Sequence, residues 1–137
     1  MDTPSFDADR LTDFATALFA ATGMDREKAA TVGRYLVLTD MLGRRTHGLA
    51  MAPLYLEEIR KGNLQIPGEP QVVRDTGATI VWDGGYLPGL WLMDRALALA
   101  LPRAAELAVV SVAIRKCHHI GCLAALVKPA ADKGYVA

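Results

Sequence analysis

The run Gln71-Val72-Val73-Arg74, the turn Asp75-Thr76-Gly77 and the run Thr79-Ile80-Val81-Trp82 decide the fold class. Two short β-type runs around an Asp and Gly turn predict a hairpin, and Asp83-Gly84-Gly85 ends its second strand. The alanine- and leucine-rich stretch Gly89 to Leu107 then predicts a long helix, with Pro102 as a point of kinking. Val109 to Ile114 reads as a buried strand bounded by the polar pair Arg115-Lys116. Leu123 to Lys133 predicts another helix, disturbed by Pro129, and Gly134-Tyr135-Val136-Ala137 the first residues of a further strand.

Upstream of the hairpin the pattern is helical. Leu11, Phe14, Ala15, Leu18 and Phe19 recur at helical spacing, and Gly23 can end that helix. Asp25 is a suitable N-cap for a second helix to about Leu42, with Ala29, Val32 and Leu36 on one face and Gly43 closing it. A third helix is expected from near Thr46 to Gly62, with Leu49, Ala52, Leu56 and Ile59 as its apolar stripe. Pro53 fits only if it stands near that helix's first turn. Pro67, Gly68 and Pro70 mark a connector. The expected organisation is a three-helix subdomain over residues 1–66 and a mixed-sheet domain over 67–137, an α/β (α+β) fold.

Composition narrows the partners. Among 137 residues, 15 Lys and Arg balance 15 Asp and Glu, which argues against nucleic acid or a membrane surface held by net charge. The most apolar stretch, Ala96 to Ile114, is broken by Pro102, Arg103 and Glu106, so it does not read as a membrane span. Met1 to Asp9 lacks the basic region of a secretory signal, and Cys117 and Cys122 make no disulfide framework. A cytoplasmic protein with small-molecule or protein partners is the expectation.

Two stretches can carry chemistry. In Gly43-Arg44-Arg45-Thr46-His47-Gly48, Thr46 can cap the following helix and leave His47 on its first turn. A helix start favours an anion, and a histidine titrates near neutral pH. Reduction of a 2-keto acid needs that pairing, because an acid must protonate the carbonyl oxygen; the plainer reading is that His47 lines a loop. In Cys117-His118-His119-Ile120-Gly121-Cys122, directly after a strand, one histidine can meet a substrate or cofactor. The Cys-x4-Cys spacing is no standard zinc knuckle, and no second ligand pair follows, so no metal is assigned. Asp83-Gly84-Gly85-Tyr86-Leu87-Pro88-Gly89 lacks the G-x-G-x-x-G spacing, and Pro88 removes an N–H that a pyrophosphate would need. Trp82, Tyr86 and Trp91 read as core rather than as a ligand groove.

Leu42-Gly43-Arg44-Arg45-Thr46-His47-Gly48, with Pro53, Tyr55 and Ile59 to Gly62, resembles the G-x-x-[ST]-H-G … P-x-Y … I-x-x-G signature of the non-Rossmann malate/L-lactate dehydrogenase family, type 2 and L-sulfolactate-dehydrogenase-like. Glu69 to Val73, Ala78 to Gly84 and Val109 to Gly121 fall in family order, so the resemblance runs from Leu11 to Tyr135. It implies hydride transfer between NAD or NADP and a 2-hydroxy or 2-keto acid such as malate or lactate, in a homodimer. His47 would then be the general acid/base and Thr46 its neighbour in the substrate pocket. Tyr55 would line that pocket, and His119 would face substrate and nicotinamide. Many relatives carry Arg four residues after the histidine. Here that position is Met51, as in the hydroxycarboxylate dehydrogenase branch, and Arg44 or Arg45 become candidates for the substrate carboxylate.

Members of that family are well over twice as long, with most of the dinucleotide-binding segment beyond residue 137. The resemblance therefore implies an amino-terminal fragment, incomplete and inactive alone, with an unpaired sheet edge. A non-catalytic truncated paralogue acting as an interaction module is the alternative reading. A small metal-binding protein using Cys117, His118, His119 and Cys122 is a weaker third.

Overall fold

A computed structural model describes residues 5–137. Helix α1 spans Ala8–Ala20, capped by the Asp7 carboxylate on the Arg10 N–H. Its buried face is Ala15 and Phe19. Phe14, expected on that face, is 63% exposed, because it lies about 100° around the helix from Ala15.

Helix α2, Arg26–Met41, is the central helix. Asp25 caps it as expected, accepting the Lys28 N–H at 2.9 Å. The same carboxylate pairs with the Lys28 ammonium, which lies 4.5 Å over the Trp91 ring on a nearly buried side chain. Asp25→Ala is expected to cost about 1–2 kcal/mol in chemical denaturation, by removing a cap and stranding a nearly buried cation. An unchanged denaturation midpoint would contradict this.

The third helix departs from expectation. Thr46 caps nothing; two 3-10 turns, Arg45–His47 and Leu49–Met51, come first, and α3 runs Ala52–Lys61. Pro53 explains the late start. It stands in the first turn, where its missing N–H breaks no helical bond. Gly62 closes α3 in the left-handed region at φ 76°.

Strands β1, Gln71–Asp75, and β2, Thr79–Asp83, form the expected antiparallel hairpin, with a bulge at Val73. Helix α4, Gly89–Leu107, crosses over to β3, Ser111–Arg115, which pairs parallel to β2. The sheet order is β1-β2-β3. Strand β3 was expected to be buried from Val109. Instead Val109 is 74% exposed and precedes the strand, whose residues alternate between half-buried and exposed. That is the pattern of an edge strand packed on one face only. Arg103 of α4 forks onto Asp75 at 2.7 and 2.8 Å and ties the helix to the hairpin.

Helix α5, Leu123–Ala131, contains Pro129 as expected. Gly134 to Ala137 form no strand. The Tyr135 N–H bonds back to the Ala130 carbonyl and finishes the turn after α5.

Three apolar clusters hold the fold. Ile80, Trp82 and Ala96 join α4 to the sheet, and Leu87, Trp91 and Leu92 fill the start of α4. The largest unites Phe19, Val32, Tyr35, Leu36 and Tyr55 with Leu90 of α4 and Ala125 and Leu126 of α5. Through it the helices before the hairpin and the elements after it share one interior. Among the described residues, no helix is long and apolar enough to cross a membrane.

Candidate active site

The loop from Lys116 to Cys122 leaves the carboxyl end of β3, beside the carboxyl end of its parallel partner β2. In α/β sheets this is where ligands bind. The loop is held from three sides. Lys116 accepts the Tyr86 N–H, the His118 N–H bonds the Leu87 carbonyl, and Gly89 lies beneath the His118 and His119 carbonyl oxygens. A Cβ at Gly89 would collide with both oxygens, so α4 reaches the loop only as glycine.

Here His119 meets two residues singled out from the sequence. The Tyr55 hydroxyl lies 2.8 Å from His119 Nδ1, although 64 residues separate them in the chain. The His47 ring stacks on that of His119, with centroids 5.9 Å apart and planes at 22°. Thr46 Oγ1 is 3.0 Å from His47 Nδ1. His47, Thr46, Tyr55 and His119 therefore converge. His47 does not stand at a helix end, as was expected, but on a 3-10 turn whose amides are engaged: His47 N–H with Arg44 O, Gly48 N–H with Arg45 O, Leu49 N–H with Asp40. Those amides are not free to hold an anion.

The Gly121 amide assigns a tautomer to His119. The Gly121 N–H can only donate, and it points at His119 Nδ1 at 3.3 Å. Nδ1 is therefore the acceptor for it and for the Tyr55 hydroxyl, and the ring proton sits on Nε2. Tyr55 is 2% exposed; burial, with Cys117 adding to it, pushes its phenol above the ordinary range, so it remains a donor. Burial and the neighbouring His47 and His118 hold the His119 imidazole below its usual 6.5. His119 thus presents a neutral N–H.

His118, named in the sequence only as one of the pair that could meet a ligand, joins the site with Glu58, which the sequence did not mark. The His118 ring meets Tyr55 edge-on, and its Nε2 lies 3.8 Å from Glu58 Oε2. Burial lowers its pKa and outweighs the opposing pull of Glu58. Nothing in the local pattern marks Glu58, which reads as the solvent face of an amphipathic helix. A cleft of about 530 Å³ opens beside these rings, lined by Gly62, Asn63, Tyr86, Cys117, His118 and His119. Tyr86, which read as core, is 52% exposed there. Arg45 lines a different groove, with Phe6, Leu11 and Met41. Both cysteines are free thiols, and among the described residues no three His, Cys, Asp or Glu side chains converge as metal ligands.

The depressed imidazoles have a consequence for stability. An unfolded chain takes up protons on His118 and His119 near pH 6.5, while the folded chain resists until lower pH. Stability is therefore full above about 6.5 and falls as pH drops through that value toward the folded-state pKa values. Asp75 and Glu57, both near 2 through Arg103 and Arg60, act only at more acid pH. Denaturation midpoints measured on the way down from neutrality should fall, and His118→Gln should flatten the slope; a flat wild-type curve would refute the assignment.

The turn from Gly84 to Pro88 offers no phosphate cradle. Its N–H groups are engaged by Arg115 O, the Asp83 carboxylate, Lys116 O and Gly84 O, and Pro88 has none.

Comparison with known proteins agrees with this architecture. The family described as malate/L-lactate dehydrogenase matches residues 6–137. Hydroxycarboxylate dehydrogenase B of Escherichia coli O157:H7 is 30% identical over 96% of this chain and 36% of its own length. The (2R)-3-sulfolactate dehydrogenase (NADP(+)) of Chromohalobacter salexigens is 32% identical over 90% of this chain and 37% of its own. The crystal structure of malate dehydrogenase from Entamoeba histolytica superposes with a TM-score of 0.90 at 26% identity, over 97% of this chain and 37% of that one. The chain thus spans little more than a third of the length of the curated relatives it matches.

Proposed function

This chain belongs to the malate/L-lactate dehydrogenase family, and from that premise we propose that it carries the proton-handling end of a 2-hydroxyacid dehydrogenase site. The observation that carries the reading is the stacked pair His47 and His119, with Tyr55 bonded behind the second ring. The substrate oxygen is placed at the edge of the stacked pair, in line with the in-plane Nε2 atoms of the two imidazoles. His119 donates its Nε2–H to that oxygen as a hydrogen bond and gives up no proton, because a neutral imidazole that did so would become an imidazolate. His47 is the general acid in reduction and the general base in oxidation, with Thr46 on its Nδ1 and Nε2 left for substrate. The relatives' names support a malate-, lactate- or sulfolactate-like substrate and NAD or NADP as the redox partner. The hydride step belongs to the nicotinamide, whose phosphates the Gly84 to Pro88 turn has no free amides to hold. The reading extends to a cytoplasmic homodimer.

The test is titration of the chain with pyruvate and oxaloacetate, followed through the imidazole NMR signals, with acetate as control. Saturable shifts of His47 and His119 with the keto acids alone are expected; equal response to acetate would overturn the reading. A second reading, an interaction module, draws on the apolar groove around Leu101, Val109 and Tyr135. Unperturbed imidazoles and co-purification with a full-length relative would favour it.

A further inference from the structure

The loop that carries His47 rests on a residue that the family signature and the proton chemistry leave without a role. Asp40 stands in the last turn of α2, where its charge faces the negative end of the helix dipole. Its Oδ2 accepts the Leu49 N–H at 2.9 Å. Gly48 presses against the same carboxylate so closely that a Cβ there would overlap it. Gly48 is buried between His47 and Leu49, so a single carboxylate joins the two 3-10 turns at their junction. The base of the loop is closed from α2 as well: the Arg44 N–H bonds Thr39 O and the Gly43 N–H bonds Asp40 O. Between Arg44 and Leu49 the loop has no buried apolar anchor; Arg44, Arg45, Thr46 and His47 are all exposed. Among the described residues, backbone bonds, the Thr46 hydroxyl on its Nδ1 and Asp40 hold the His47 ring where His119 lies.

We propose that Asp40 is the positioning residue for His47, a clamp that sets its ring against His119. This deepens the reading of His47 as acid/base and rests on it for its catalytic meaning, but the clamp itself can be tested without substrate. Its placement at an unfavourable helix end is understandable if the bond to Leu49 and the seat on Gly48 matter more than the dipole.

The readout is the titration of His119 in the full chain, followed by imidazole NMR. The groups facing that ring are His47, His118 and the Tyr55 phenol. His47→Gln is expected to raise the His119 midpoint by removing a like charge. Asp40→Ala is expected to produce the same rise, with little further rise in the double variant, and Leu49 amide exchange faster by about tenfold or more. Asp40→Asn keeps an acceptor for the Leu49 N–H and should restore the wild-type midpoint. A folded Asp40→Ala chain with an unmoved His119 midpoint, or shifts that simply add, overturns the clamp. If Asp40→Ala does not fold, Gly48→Ala lifts the loop off an intact carboxylate and reads the same coupling. Failure of both to fold also overturns the proposal, since Asp40 would then be part of the core. A His119 midpoint that ignores His47→Gln would instead refute the pairing behind the proposed function, a distinguishable result.

Discussion

Turnover of a 2-keto acid with NAD(P)H, measured in a full-length chain that carries this segment, is expected to fall about 10³-fold when His47 becomes Gln, equivalent to roughly 4 kcal/mol of barrier. Glutamine keeps a polar group in the loop but cannot exchange a proton. The size of the loss depends on whether a neighbour can substitute. His119 cannot, because Gly121 N–H and Tyr55 O–H both occupy its Nδ1 and hold it as a neutral Nε2–H donor. Thr46 cannot, for want of a suitable pKa. His119→Ala removes a hydrogen-bond donor and not the acid, and is expected to cost about 10². The ordering matters as much as the size: retention of more than a tenth of kcat in His47→Gln, or a larger loss at His119, would reverse the roles.

The second large effect is on stability. Gly89→Ala places two opposing forces in contest. Helix propensity favours alanine over glycine by up to about 1 kcal/mol in a helix interior, and less in a first turn. Against this, the added Cβ meets the carbonyl oxygens of His118 and His119, which are backbone and pinned by the His118 bond to Leu87. Overpacking against atoms that cannot rotate away costs about 3 kcal/mol. The collision should win, leaving a net loss of about 2–3 kcal/mol in chemical denaturation and a displaced His119. Gly85→Ala is the control. Gly85 has open space around it and a φ of 56°, so its loss should stay near 1 kcal/mol. A stabilised Gly89→Ala would show that the loop yields freely.

Much of this arrangement was legible in the residues. Gly89 to Leu107 carried its helix, and the turn Asp75-Thr76-Gly77 its hairpin, because turn chemistry and periodicity are local. Asp25 announced α2 for the same reason. The residues His47, Thr46, Tyr55 and His119 could be named in advance, but their meeting could not be derived from spacing, since it depends on how α2, α4 and α5 share one interior. The start of α3 was misplaced by reading Thr46 as a cap, when Pro53 is the stronger constraint and admits a helix only from Ala52. Gly134 to Ala137 have strand-forming residues but no paired neighbour, and a strand exists only by pairing. Asp40 escaped notice because a carboxylate on a helix ordinarily faces water; the overlap with Gly48 is a fact of three dimensions.

His47 precedes the hairpin and His119 follows it, and the core that brings them together is built from both sides. The Lys116–Cys122 loop that carries His119 is seated on Gly89 and Leu87, so lifting it would part the two rings. The paired rings therefore depend on packing contributed from both sides of the hairpin. The coupling between the two imidazoles thus serves as a reporter of whether both sides of that core are in place.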